Sequence, residues 1–390
     1  MLQYMNRIII PLGLACIVLL LLFFALGSVE TSQASSPADP ASILEVALGK
    51  TAFPYVTTTL QLPPGIGSDP SDIDLNPATG LVYVANFGGG VTIISATQII
   101  TTLPVGQYPE VIRINQATGL AYVVNRGTQN VSVLSGTQVI STVWLGGEPF
   151  AIDVNPVTGL IYVANPESLN VTVLSGTQII TNIPVANKPV AVGVNPVTGL
   201  VYVASVIDHI VTVISGTDVI TTLPSIISPN LIGVNPNTGY IYVGNDSYLT
   251  VISGTDILGT LNTGASPKAI GVNMASGLIY VPNSNSHNVT IISGTQVITT
   301  VAVGTQPYDA AADPSTGLVY VANTNSDNVT VLSGTQVVAS FFTGDFPLAV
   351  LANPNTGLVY VVNSGGSSVS VIATLYLTIT DKILLPAIRR

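Results

Sequence analysis

One phrase, Asn-Pro-x-Thr-Gly-Leu-x-Tyr-Val-x-Asn, returns eight times with small variations along this 390-residue chain. Its tyrosines are Tyr83, Tyr122, Tyr162, Tyr202, Tyr242, Tyr280, Tyr320 and Tyr360, spaced by 39, 40, 40, 40, 38, 40 and 40 residues. So regular a period means that one small unit has been copied. A unit of that size cannot bury its own apolar surface, so each copy must stack on its neighbours. Length alone suggests two or three domains; the repeat makes one array instead.

Residues 149–189 show what one unit contains. Phe150 to Asn155 is a short apolar run, and Pro156 to Gly159 is a turn in which Pro fixes φ and Gly permits positive φ. Asn155 precedes that proline and can bond back to the turn backbone. Leu160 to Asn165 is a second run, Asn170 to Leu174 a third and Gln178 to Ile183 a fourth, the last two joined by the tight turn Ser175-Gly176-Thr177. Four β-branched and aromatic runs joined by turn signals predict an antiparallel meander, with strands named A to D. No helical period appears after residue 30. Meanders that stack around an axis form a β-propeller. The expected fold is therefore all-β, with four-stranded antiparallel blades, eight by the count of A-B-C sets. Seven blades is the alternative number, and a parallel β-helix, whose coils are shorter and lack hairpins, is the alternative fold. The first set lacks a preceding D strand. Phe53–Leu62 is expected to supply it beside the last C strand, pairing the chain ends and removing a sheet edge.

Charged residues are only 7% of the chain, hydrophobic residues are 47%, and the formal net charge is −10. Between residues 51 and 380 the basic side chains are Arg113, Arg126, Lys188 and Lys268. A nucleic-acid ligand is excluded by the lack of clustered phosphate-neutralising groups. The single cysteine, Cys16, lies in the N-terminal apolar run, so disulfides and thiolate metal sites are excluded from the repeat region. No cofactor is predicted.

Arg7, an apolar run from Ile8 to about Gly27 and then small polar residues give residues 1–34 the order of a secretory signal, with Ser32-Gln33-Ala34 as the cleavage site. An uncleaved membrane anchor is the alternative, since the run is long enough to span a bilayer. Residues 35–52 form a linker, 53–380 the repeat domain and 381–390 a short tail. The expected location is extracellular or at the cell surface, with membrane contact only through an uncleaved N-terminal segment.

Tyr83-Val84-Ala85-Asn86, Tyr162-Val163-Ala164-Asn165 and Tyr320-Val321-Ala322-Asn323, with the Pro-x-Thr-Gly turn before each, resemble the Tyr-Val-Thr-Asn (YVTN) family of β-propeller repeats over residues 53–380. The resemblance implies a bacterial or archaeal cell-surface or surface-layer protein that binds, similar in fold to NHL-type and quinoprotein dehydrogenase propellers. Family propellers often have seven blades, against eight phrases here. The resemblance carries over no catalytic residue.

Comparing the eight units within the chain separates two ends of the expected propeller. The A–B and C–D turns barely vary, whereas the B–C loops and D–A corners vary freely and are where specific contacts are expected. The candidate ligand surface on these loops is Tyr108, Arg126, Trp144, Phe150, Asp208, His209, Tyr248, His287, Tyr308, Asp327 and Phe346. Aromatic groups beside acids and amides suit a carbohydrate or protein partner. Local capping of the blade ends explains the same aromatics. Asp208 and His209 are metal-ligand types without a fixed third partner, which leaves metal binding open. Asp74, Arg113 and Asp153 share one A-strand position and are the axial candidates. The function expected from these features is a non-enzymatic binding, adhesion or assembly module. The alternative is a lactonase-like or quinone-dependent dehydrogenase-like propeller enzyme with its site at the axial mouth.

Overall fold

The computed structural model describes residues 51–224 and 226–377. The N-terminal segment, nearly all of the linker and the C-terminal tail lie outside them. Eight separate four-stranded antiparallel sheets form an eight-bladed propeller. Seven blades run A-B-C-D in chain order. The first is Pro70–Asn76, Leu81–Asn86, Gly90–Ser95 and Gln98–Pro104. The eighth takes its A, B and C strands from Pro347–Ala352, Val359–Asn363 and Ser368–Leu377, and its D strand from Thr51–Gln61. The segment expected there is the one that fills it. Leu375 continues the last C strand and faces Phe53.

B and C strands are buried along nearly their whole length, while D strands are mostly exposed. The sequence requires this layering, because B and C strands carry apolar side chains on both faces and find cover only between two neighbouring blades. The core is accordingly a set of interfaces between blades. Tyr83, Ala85, Val91 and Ile93 of the first blade pack with Ile112, Ile114, Ala121, Val123 and Leu134 of the second. Val82, Val84 and Ile94 pack on the other side with Tyr360, Val362, Val369 and Val371 of the eighth, which closes the ring.

The uniform end is stitched from blade to blade. Asn155 accepts hydrogen bonds from Val157 N at 2.9 Å and Thr158 N at 3.1 Å, and its amide donates to Gly199 O of the next blade at 3.0 Å. Asn76, Asn115, Asn195, Asn235 and Asn273 donate in the same way to the turn glycine of the next blade. The repeated tyrosines do the same one strand further out. Tyr202 Oη donates to Gly254 O at 2.8 Å, and Tyr83, Tyr162, Tyr242, Tyr280 and Tyr360 make equivalent bonds. The phrase that repeats eight times is thus the joint between blades.

Candidate functional site

The variable end is built from corners and loops. Each D–A corner ends in a proline: Pro70, Pro109, Pro149, Pro189, Pro229, Pro267, Pro307 and Pro347. The residues that follow are Ser71, Glu110, Phe150, Val190, Asn230, Lys268, Tyr308 and Leu348. These eight positions hold eight different amino acids, in a chain where the structural positions are nearly invariant. Phe150, Val190, Asn230, Lys268 and Tyr308 line a cavity of about 540 Å³, together with Arg126, Glu148, Glu167 and Lys188. Ser71, Lys268, Tyr308 and Leu348 line an adjoining cavity of about 320 Å³ that reaches Asp72, Asp74, Arg113 and Asp309 on the innermost strands. Both cavities share Lys268 and Tyr308 and together form the axial mouth and the upper channel.

Arg126, from the second blade's B–C loop, pairs with Glu148 and lies 3.5 Å from a Glu110 oxygen. Its guanidinium also sits 5.2 Å from the centre of the Phe150 ring. Lys268 stands 6.0 Å from the centre of the Tyr308 ring. Burial raises the Glu110 carboxyl above its usual range, against the opposing pull of Arg126.

Ionisable groups converge in the channel below. Arg113 Nη1 bonds Asp72 Oδ2 at 2.7 Å. Burial pulls the Arg113 pKa down, but Asp72, Asp74 and Asp153 more than offset it and the net shift is upward. Burial raises Asp74 to about 6, against the lowering effects of Arg113 and two backbone amides. Burial likewise raises Asp309 to about 6, and it raises Asp153. Both oxygens of each of these three carboxylates are occupied. Asp74 accepts from Leu75 N and from Ile114 N of the next blade, each at 2.8 Å. Asp153 accepts from Val154 N and Val194 N, and Asp309 from Ala310 N and Val350 N. The axial acids are therefore braces between innermost strands. In the fourth, fifth and sixth blades, Gly193, Gly233 and Gly271 stand where Asp74 does, and the next blade crowds against them. The channel wall is consequently charged on one arc and tight and uncharged on the other.

The sequence candidates separate into several groups. Arg126, Phe150 and Tyr308 line the mouth. Asp74 and Arg113 line the channel, and Asp153 contributes its field to Arg113. His209, His287 and Asp327 each accept a backbone N–H of the following corner, from Ser228, Gln306 and Phe346 respectively. Asp208 accepts from Asn187 N. These four side chains hold loops together. Among the described residues no cluster of three His, Cys, Asp or Glu is placed to hold a metal. Tyr108 stacks on Phe87 with ring centres 4.7 Å apart, and Trp144, Tyr248 and Phe346 are not among the mouth-lining side chains. Asp309 is a corner residue by sequence; the structure places it in the A strand Pro307–Ala312, on the channel.

No family model and no curated protein matches the chain. Solved structures do. Sqt1 of Saccharomyces cerevisiae is 13% identical with a TM-score of 0.69, over 82% of this chain and 99% of that one. Hydrazine synthase of Kuenenia stuttgartiensis is 18% identical with a TM-score of 0.56, over 84% and 100%. A streptogramin B lyase is 14% identical with a TM-score of 0.57, over 71% and 96%. At these identities the likeness is one of fold. The chain shares its β-propeller with a lyase, a hydrazine synthase and Sqt1, so its function must be argued from its own mouth.

Proposed function

We propose that this protein is an exported, non-enzymatic propeller of the YVTN type, acting at the cell surface as a binding, adhesion or assembly module through its variable loop face. The ring after the corner prolines carries the reading. Seven of the eight blades line the two cavities with the residue after the corner proline, and those seven side chains all differ. A scaffold repeated this faithfully varies there because contact is made there. The cavity lies within the size range of small-molecule sites, roughly 300–1,000 Å³. Carbohydrate or a protein segment is the partner class, reached through the aromatic faces of Phe150 and Tyr308 with Asn230 and Glu167 as polar groups.

One observation favours an enzyme instead. Asp74 and Asp309, both raised to about 6, face the channel beneath the mouth. Carboxyls tuned in this way are typical of acid–base sites. Here both oxygens of each acid hold backbone amides of two blades, which supports a brace rather than a proton carrier.

Capture of labelled protein on intact cells and on immobilised cell-surface glycans and proteins tests the proposal. Wild type is expected to be retained, and Phe150→Ala and Tyr308→Ala to lose most of that retention. Equal retention of both variants overturns it, as does turnover of lactones or quinone-coupled alcohols that disappears in Asp74→Asn.

A further inference from the structure

The cations of this molecule are not scattered. All four basic side chains among the described residues, Arg113, Arg126, Lys188 and Lys268, line the axial mouth and channel. Two are spent locally, Arg113 on Asp72 and Arg126 on Glu148 and Glu110. Lys188 and Lys268 are in no ion pair with any described residue, and both are exposed in the mouth. They come from two different corners, the one that enters the fourth blade and the one that enters the sixth. The scaffold does not need them there, since other blades place Tyr, Ser, Gln or Val at the matching positions.

Resting on the reading of the mouth as a binding site, we infer that its ligand is an acidic sugar, a hydroxylated ring bearing one carboxylate. Charge sets the anion. Lys188 and Lys268 are the two cations of the mouth with no ion-pair partner among the described residues, while Arg126 is held between Glu148 and Glu110. A single carboxylate can pair with these lysines, whereas a phosphate dianion brings twice the negative charge beside Glu110, Glu148 and Glu167. Shape and polarity set the ring. Tyr308 offers an aromatic face for the apolar side of a sugar, and Glu167 and Asn230 offer acceptors and a donor for its hydroxyls. The 540 Å³ available admits one or two sugar residues and no long chain end-on.

Titration calorimetry with glucuronate and galacturonate, beside glucose, galactose and glucose 6-phosphate, tests the inference directly. The uronates are expected to bind at least tenfold more tightly than the neutral sugars, and each of Lys188→Gln and Lys268→Gln to weaken them by about tenfold. Both lysines are exposed, so these variants keep the fold, which circular dichroism checks. Neutral sugars binding as tightly as uronates overturn the inference, as do tighter binding of the phosphate ester, unchanged affinity in both lysine variants, or no binding of any sugar. Cell-surface capture that still depends on Phe150 and Tyr308 while the uronates fail removes the acidic sugar and leaves the binding mouth standing. Capture that no longer depends on them removes both.

Discussion

The hydroxyl of Tyr360 in the last blade donates to the carbonyl of Ala96 in the first, across 2.9 Å. That bond joins chain positions 264 residues apart and repeats, at the ring's closing joint, the bond that neighbouring blades make elsewhere. Tyr122 is the exception: its buried hydroxyl has no partner among the described residues. Tyr360→Phe is therefore expected to cost about 1 kcal/mol, the net worth of one hydrogen bond. Tyr122→Phe is expected to be neutral or stabilising, because it removes a buried unsatisfied group. Urea unfolding of the two variants side by side distinguishes them; equal losses would show that the hydroxyl bond is not what the phrase supplies.

The axial carboxyls give a pH dependence with a defined sign. Asp74 and Asp309 are raised to about 6 from an ordinary value of 3.8. The folded chain therefore binds protons that the unfolded chain has released between about pH 4 and 6, so these groups add stability as pH falls through that window and lose it as pH rises past 6. Melting temperature is expected to rise from pH 7 to pH 5, by an amount equivalent to about 1–3 kcal/mol per group. The double variant Asp74→Asn/Asp309→Asn is expected to flatten that rise. A melting temperature that falls in wild type over the same range would show the acids to be ionised, well-compensated partners.

Gly193 and Gly271 occupy the same register as Asp74, yet differ in what lies opposite. A Cβ on Gly193 would fall 2.3 Å from the Ile232 side chain, and one on Gly271 would fall 2.4 Å from the Ala310 backbone oxygen. A side chain can turn aside and a backbone carbonyl cannot. Gly193→Ala is expected to cost about 1 kcal/mol and Gly271→Ala about 3 kcal/mol or more, as overpacking does. Thermal unfolding of both variants checks the order, and the reverse order contradicts the packing described.

The loop histidines are expected to matter for order rather than for chemistry. His287 Nδ1 accepts from Gln306 N at 3.1 Å. His287→Ala should speed amide exchange at Gln306 and its neighbours while changing global stability by no more than about 1 kcal/mol. Unchanged exchange at this corner would leave His287 without the holding role given to it.

The ring and its closure were legible because the physical need repeats. Asn155, Pro156 and Gly159 must form a turn wherever they recur, and Tyr162 must find cover, so the repeated runs and turns imply a stack of meanders, and the D strand missing from the first set implies the closing strand Phe53–Leu62. The mouth was less legible, because variable loops look alike in one dimension. Asp208, His209, His287 and Asp327 have side chains suited to ligands, and the fold turns each of them back onto a corner amide. Asp309 and Asp72 were missed as axial groups. Each lies two residues after a corner proline at equivalent positions, a register that places both on the channel. Counting from those prolines finds the mouth ring as well: Phe150, Lys268 and Tyr308 are each the residue immediately after one.

The proposed site of specific contact is the axial mouth, not the uniform end. Surface capture of three proteins tests it most directly: wild type, the mouth variant Phe150→Ala/Tyr308→Ala, and the variant Val157→Ser/Val197→Ser, which alters two exposed side chains of the A–B turns. The mouth variant is expected to lose capture and the turn variant to keep it. Loss of capture in the turn variant with retention in the mouth variant would contradict that placement.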